Sequence, residues 1–413
     1  MKINYTTKKI VDSFSISTVG LGLLFCVYIV QYLRPLDLIG IKAPLFSLFS
    51  ALLILVLIAR GNIDDVLKHI QIRWILVLFT LLLFLTLTSS YPGRSFTMFL
   101  GYVQLIPFVF AVVLLIDTFT KFKALILMLS LTTLSITCYV FLTHHRFARY
   151  EIFDLSNFLT DPNDLSLYLN MMIPWMILSV SMSRTWWFKL GLGIGIFAVI
   201  LLSLLTYSRG GFLGLVVTLG IFGILHPQRI LFISGGILLG LLGLLFLDQQ
   251  WLTVMSSATD VKTDTAITRI TMWKAALEMF QDNPFGYGPA TIGSVAYKYI
   301  PNGILGHGYT TWQGQVSHSQ WVTALAEWGI FGFGIFIWLI VLNLRDCWTL
   351  MMNNTSGFAR SCGITALSSL VGFLVSSSFL TTNYYPHFLY ITAIICSAIF
   401  IFNRPPPNHH SFL

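Results

Sequence analysis

The chain has 413 residues, 56% of them hydrophobic and only 10% charged, with a formal charge of +8. A soluble domain carries about 25% charged residues, so a soluble fold of this composition would leave apolar surface uncovered, and lipid must cover part of it. The basic residues are dispersed between apolar runs, which excludes a nucleic-acid footprint and reads as membrane topology.

A hydropathy window of about 19 residues predicts twelve apolar runs, near 14–33, 43–59, 74–89, 96–116, 123–143, 164–182, 187–206, 211–225, 230–247, 320–342, 361–380 and 387–402. No small-residue cleavage site follows the first run, so a retained span is expected there. The expected fold is an all-α polytopic membrane protein of about twelve transmembrane helices, a single integral membrane unit over 1–413. One large polar loop, at about 248–319, separates the ninth and tenth runs and contains helices. No internal repeat is visible. The tail from Arg404-Pro405-Pro406-Pro407 onward stops the last helix, and 403–413 is expected to be a disordered cytoplasmic tail with His409 and His410 solvated. Cys26, Cys138, Cys347, Cys362 and Cys396 are scattered and support neither a disulfide framework nor a C-x-x-C metal site.

Orientation follows from Lys and Arg. With the N-terminus inside, fourteen fall in inner segments: Lys2, Lys8, Lys9, Arg60, Lys68, Arg73, Lys121, Lys123, Arg184, Lys189, Arg229, Arg345, Arg360 and Arg404. Six fall in short outer loops: Arg34, Lys42, Arg94, Arg146, Arg149 and Arg209. The positive-inside rule then puts both termini in the cytoplasm and the large loop outside.

Four polar features gather on the outer side. Ser208-Arg209-Gly210-Gly211 puts two glycines beside an arginine at the membrane boundary. The glycines let another group approach the backbone closely, and an arginine at that depth is costly unless paired or facing a wet cavity. An arginine that snorkels and anchors the helix end is the competing structural reading. Next, Asp264 or Thr265 can cap a helix reaching about Gln281, with Ile267, Ile270, Met272, Trp273, Ala276, Leu277 and Phe280 as its apolar face. Arg269 lies near its first turn, the wrong end of the dipole for a cation. Either substrate or lipid phosphate would account for it. Asn283-Pro284-Phe285-Gly286-Tyr287-Gly288-Pro289 then breaks the helix. Third, His318 stands just before the next span as a candidate base, relay or donor. Glu327, nine residues on, is an intramembrane carboxylate that either joins a site or pairs with a basic group or backbone donor to hold the bundle. Fourth, in Asp161-Pro162-Asn163-Asp164, Asn163 or Asp164 is expected to cap the sixth run, as structure or as part of a site.

Arginine offers a permanently charged fork of donors that matches phosphate oxygens. Two could hold a diphosphate where charge develops, and a nearby histidine could take a proton from an attacking hydroxyl. No carboxylate pair stands out as a metal site, so no metal and no cofactor is expected. No Gly-x-x-x-x-Gly-Lys loop is present, so the energy must come from an activated substrate delivered in the membrane.

These residues resemble the O-antigen ligase and polymerase family. The resemblance rests on Ser208-Arg209-Gly210-Gly211, on Arg269 with Trp273 and Asn283-Pro284-Phe285-Gly286-Tyr287-Gly288, and on His318-Ser319-Gln320 with Glu327-x-Gly329. It covers roughly 160–340 specifically. It implies an inverting, metal-independent glycosyltransferase of the bacterial inner membrane, acting on the periplasmic face. The donor would be an undecaprenyl-diphosphate-linked glycan, and the acceptor lipid A–core sugar, a growing glycan or a protein. By position, Arg209 and Arg269 would bind the diphosphate and His318 would position or deprotonate the acceptor. Gly210, Gly211, Asp161, Asn163 and Glu327 would support them. A transporter or flippase is the competing class, although the halves do not match and the polar groups sit at the boundary rather than the midplane. A non-catalytic scaffold is the third.

Overall fold

A computed structural model describes residues 5–35, 41, 43–144, 155, 158–244, 249–256, 264–301, 312–352 and 356–403. The expected tail beyond Asn403 lies outside the described residues. Among the described residues every regular element is a helix. In chain order they are α1 (Tyr5–Tyr32), α2 (Leu45–Arg60), α3 (Ile63–Leu67), α4 (Ile70–Thr88), α5 (Pro92–Val103), α6 (Ile106–Leu115), α7 (Phe119–Thr143), α8 (Pro162–Met182), α9 (Trp186–Leu205), α10 (Arg209–Leu225), α11 (Arg229–Leu244), α12 (Gln249–Ser256), α13 (Asp264–Asp282), α14 (Ile292–Val295), α15 (Gln320–Met351), α16 (Gly357–Ser377) and α17 (His387–Phe402).

Among the described residues, seven helical stretches are long and apolar enough to cross a membrane: α4, the stretch Pro92–Leu115, α7, α8, α9, α15 and α16. Ile16–Tyr32, α2, α10 and α17 are apolar but shorter. At 1.5 Å per residue, a helix of 16 or 17 residues spans only about 24–26 Å, against about 30 Å of hydrocarbon. The expected count of twelve spans is therefore not established by length. The run expected at 96–116 is two helices, parted at Gln104 and Leu105 just ahead of Pro107, where proline is accepted only in a helix's first turn.

The centre is closed by small residues on α8, α10 and α16. A Cβ on Gly214 would lie 1.8 Å from Ser376 Oγ, and one on Gly372 would lie 1.8 Å from Thr218 Oγ1. Lipid supplies no hydrophobic drive between helices, so close backbone approach of this kind is what binds them. Some of the buried polar groups here are paired. Asn170 donates to the Gly211 carbonyl at 2.7 Å and accepts from Ser203 at 2.8 Å.

Charged contacts sort to the two ends of the bundle. At one end Arg60 and Lys121 both reach Asp117, at 3.1 and 2.8 Å, and Gln71 and Arg345 converge on Asp346. The other end collects the loops around 89–95, 284–301, 317–319 and 378–386. Every candidate residue read from the sequence lies at this second end or within about two turns of it.

Candidate functional site

The 264–301 segment is folded onto the bundle. Met272, Ala275, Ala276 and Met279 of α13 are buried against Ile292, Val295, Ala296, Ile300 and Ala326. Their i, i+3, i+4, i+7 spacing is one helical stripe. The apolar face expected from the sequence divides here. Met272 and Ala276 are inside, while Ile267, Ile270 and Leu277 remain exposed. Protein covers one stripe of α13 and leaves a second apolar one open. Trp273 Nε1 donates to the Ser317 carbonyl at 2.8 Å, so α13 is also pinned to the turn that bears His318.

The Asn-Pro-Phe-Gly-Tyr-Gly motif is threaded into a break in α15. Gly329 leaves the helical conformation, with φ 66° and ψ −171°. The partners α15 loses are replaced from the motif. Tyr287 N–H donates to the Ala326 carbonyl at 3.2 Å, Gly288 N–H to that of Glu327 at 2.9 Å, and Ile330 N–H to that of Pro284 at 2.9 Å. Side chains are excluded at this junction: a Cβ on Gly329 would lie 2.2 Å from the Phe285 carbonyl carbon, and one on Gly286 would lie 2.6 Å from the Glu327 oxygen. The glycines of two separate sequence motifs are thus one structural feature.

Glu327 is buried under this crossing. Its carboxylate accepts from Ala290 N–H at 3.0 Å, Ile292 N–H at 2.8 Å and the Tyr384 hydroxyl at 2.5 Å. Tyr384 also accepts from Trp328 Nε1 at 2.8 Å. Three donors fill most of the acceptor capacity of an ionised carboxylate, and this arrangement clasps the loop to α15.

His318 occupies a turn at the entrance to α15. Its φ of 50° lies in the left-handed region, which a side-chain-bearing residue rarely adopts. Its N–H donates to Thr381 Oγ1 at 3.1 Å. Burial lowers the imidazole pKa to about 4, with Arg269 pushing the same way and Asp161 opposing them. Arg269, His318 and Asp161 therefore stand within each other's field. The α8 cap differs from the expectation. Asp161, not Asn163 or Asp164, caps the helix by accepting from Asn163 N–H at 2.8 Å, because Pro162 takes the first helical position and the cap must precede it. Asn163 also donates its side-chain amide to Asp161 at 3.0 Å. Asp164 turns inward and accepts from the Tyr385 hydroxyl at 2.9 Å.

Arg209 begins α10. Ser208 caps that helix by accepting from Gly211 N–H at 3.0 Å. Arg209 Nε donates to the Val254 carbonyl at 2.9 Å, tying α12 across the α9–α10 turn. A Cβ on Gly211 would lie 2.1 Å from Ser166 Oγ, and one on Gly210 would lie 3.0 Å from Phe379 Cβ. These are the close approaches the Gly-Gly pair permits. Gly210, the neighbour of Arg209, thus lies against Phe379, two residues before the threonine that holds His318.

Sequence reading missed the segment 378–385. Ser378 accepts from Trp321, Phe379 packs on Gly210, Thr381 holds His318, Thr382 bonds the Gln320 side chain, Asn383 donates to the Gln320 carbonyl at 3.0 Å, Tyr384 serves Glu327, and Tyr385 serves Asp164. Three of the four motifs meet on this one connection, and Ala290, the residue after the second motif, donates its N–H to the Tyr384 hydroxyl at 3.3 Å. Its only signal in the sequence is Thr-Thr-Asn-Tyr-Tyr between two apolar runs.

Beside α10 lies an apolar cavity of about 910 Å³ between α8, α9, α10 and α11. It extends from Trp251 and Phe212, one turn from Arg209, to Lys189 and His226 at the opposite end. Among the described residues no group of three His, Cys, Asp or Glu side chains converges as a metal site.

No curated protein matches the chain. A family model described as O-antigen ligase matches residues 194–337, from α9 through the broken part of α15, and so contains Arg209, Arg269, His318, Glu327 and Gly329. The chain is thus similar to the O-antigen ligase family over residues 194–337.

Proposed function

We propose that this chain transfers a glycan from an undecaprenyl-diphosphate carrier to an acceptor hydroxyl, on the periplasmic face of the bacterial inner membrane. The observation that carries the reading is the gathering of Arg269, His318 and the Arg209 helix end around the 378–385 connection, at one end of the bundle. The acceptor oxygen forms a bond to the anomeric carbon while the bond from that carbon to the diphosphate breaks. Attack from the face opposite the leaving group inverts the centre. The hydroxyl proton passes to His318, and the carrier diphosphate departs with its charge held by Arg209 and Arg269. Fixed cations aimed at developing charge are commonly the largest contribution to such a step.

The low pKa of His318 keeps the imidazole neutral and able to accept a proton. A bound diphosphate would offset Arg269 and raise that basicity, so donor binding prepares the base. The apolar cavity beginning one turn from Arg209 supports a donor carrying a long hydrocarbon chain in the bilayer. Full-length protein purified in detergent, given an undecaprenyl-diphosphate-linked glycan and an acceptor, should release free carrier diphosphate. Activity should be lost on Arg209→Ala, Arg269→Ala or His318→Ala while membrane insertion persists. Transfer that survives all three substitutions would overturn the reading. Deleting the gene identifies the acceptor: carrier-linked polymer accumulates for a ligase, single-unit surface glycan remains for a polymerase, and secreted protein goes unglycosylated for an oligosaccharyltransferase.

A further inference from the structure

We propose that Thr381, on the connection between α16 and α17, is the positioning residue that sets the direction of the His318 imidazole; this rests on the transfer reading above. The His318 turn is held from two sides. Trp273 of α13 donates to the Ser317 carbonyl at 2.8 Å, and Ser317 Oγ bonds within the turn to the Ser319 carbonyl and N–H at 3.0 and 3.2 Å. These contacts fix the peptides that flank His318. The amide of His318 itself is held from outside the turn, by Thr381 Oγ1 at 3.1 Å.

That bond matters because φ at His318 is 50°. A residue with a Cβ relaxes out of the left-handed region unless its surroundings hold it there. Relaxation would swing the Cα–Cβ bond and carry the imidazole with it. Thr381 is itself fixed. Ser378, the residue that follows α16, accepts from Trp321 Nε1 at 2.8 Å. On the other side Thr382 bonds the Gln320 side chain, and Asn383 donates to the Gln320 carbonyl at 3.0 Å. The 378–383 backbone therefore runs along the start of α15 as a splint, and Thr381 is the point where it touches the reacting side chain's own backbone. This segment lies outside residues 194–337, so the family match does not assign it.

The test uses full-length protein with an undecaprenyl-diphosphate-linked glycan and an acceptor, comparing wild type with Thr381→Val and Thr381→Ser. Valine keeps the shape and removes the oxygen. A displacement of about 1 Å at a reacting group can cost about 100-fold, so Thr381→Val should lower kcat by about 10- to 100-fold. Its KM for the donor should stay within about twofold, because the arginines are untouched. Thr381→Ser, which keeps the oxygen, should return to within about threefold of wild type. Thr381→Ala replaces the valine variant if that one does not fold. Wild-type rates in the oxygen-lacking variant would overturn the assignment. So would a serine variant as slow as the valine one, since the methyl group would then be what matters. Wild-type protein that turns over no donor would overturn the transfer reading itself, and the assignment with it.

Discussion

Two connecting segments meet at the same end of the bundle and contribute opposite things. The segment 264–301 brings charge and shape: the Arg269 charge acts on His318, and the Gly286 turn is threaded into the break at Gly329. The connection 378–385 brings no charged residue. It contributes hydroxyls, one amide and two tyrosines, and Gly210, His318, Glu327 and Asp164 rest on it. Chemistry and placement are thus carried by different stretches of chain, separated in sequence by α15 and α16. A substitution in the first segment should remove a reacting group, whereas one in the second should misplace it.

The largest expected effect tests the join between them. Gly329→Ala must hold a φ of 66° and place a Cβ 2.2 Å from the Phe285 carbonyl carbon. Left-handed strain and overpacking each cost about 1–3 kcal/mol, so the variant should lose several degrees of melting temperature in detergent and all transfer activity. A wild-type melting curve would show that the break in α15 is not as described. Next in size, Arg269→Ala should cut transfer by about 100- to 1000-fold with no change in melting temperature. A loss of stability equal to that of Gly329→Ala would instead assign Arg269 to the fold.

Glu327 falls between the two segments, because it takes two amides from one and a hydroxyl from the other. Glu327→Ala leaves Ile292 N–H and the Tyr384 hydroxyl without this acceptor, at about 1–3 kcal/mol for each one left unsatisfied. Tyr384→Phe removes one of these bonds and should cost about 1 kcal/mol. Thermal unfolding should rank the two in that order. Equal stabilities, combined with loss of transfer in Glu327→Ala alone, would make the carboxylate a participant in the reaction rather than a clasp.

The smallest effect is on pH dependence. His318 stays neutral down to about 4, against an ordinary value of 6.5. Transfer should therefore hold between pH 5 and 6.5 and fall near 4, as judged by kcat/KM. An acid limb at 6.5 would mean an exposed imidazole. Because the folded-state pKa is depressed, the related stability is fully present above 6.5 and is lost progressively as the pH falls toward 4. Arg269→Gln removes one of the two influences that lower the pKa, so it should move the limb upward.

What was legible in the sequence divides along the same line. Arg209, Arg269 and His318 stood out because a charged or titratable group beside an apolar run is costly and therefore conspicuous. The helical class followed from hydropathy for the same reason. Thr381, Asn383 and Tyr384 were not legible, since hydroxyls and amides are common at span ends and acquire meaning only from the groups they meet. The α8 cap is Asp161 rather than the expected Asn163 or Asp164, because Pro162 moves the cap ahead of itself. The count of twelve spans is not confirmed, because a hydropathy window does not see the shortness of helices such as α10 and α17.

The central claim is that one end of this bundle holds a glycan-transfer site built from Arg209, Arg269 and His318. The most direct measurement is release of undecaprenyl diphosphate from a lipid-linked glycan by purified wild-type and His318→Ala protein of equal melting temperature. The account predicts turnover by the wild type and a loss of at least about 100-fold in the variant. Equal release by the two proteins would contradict it.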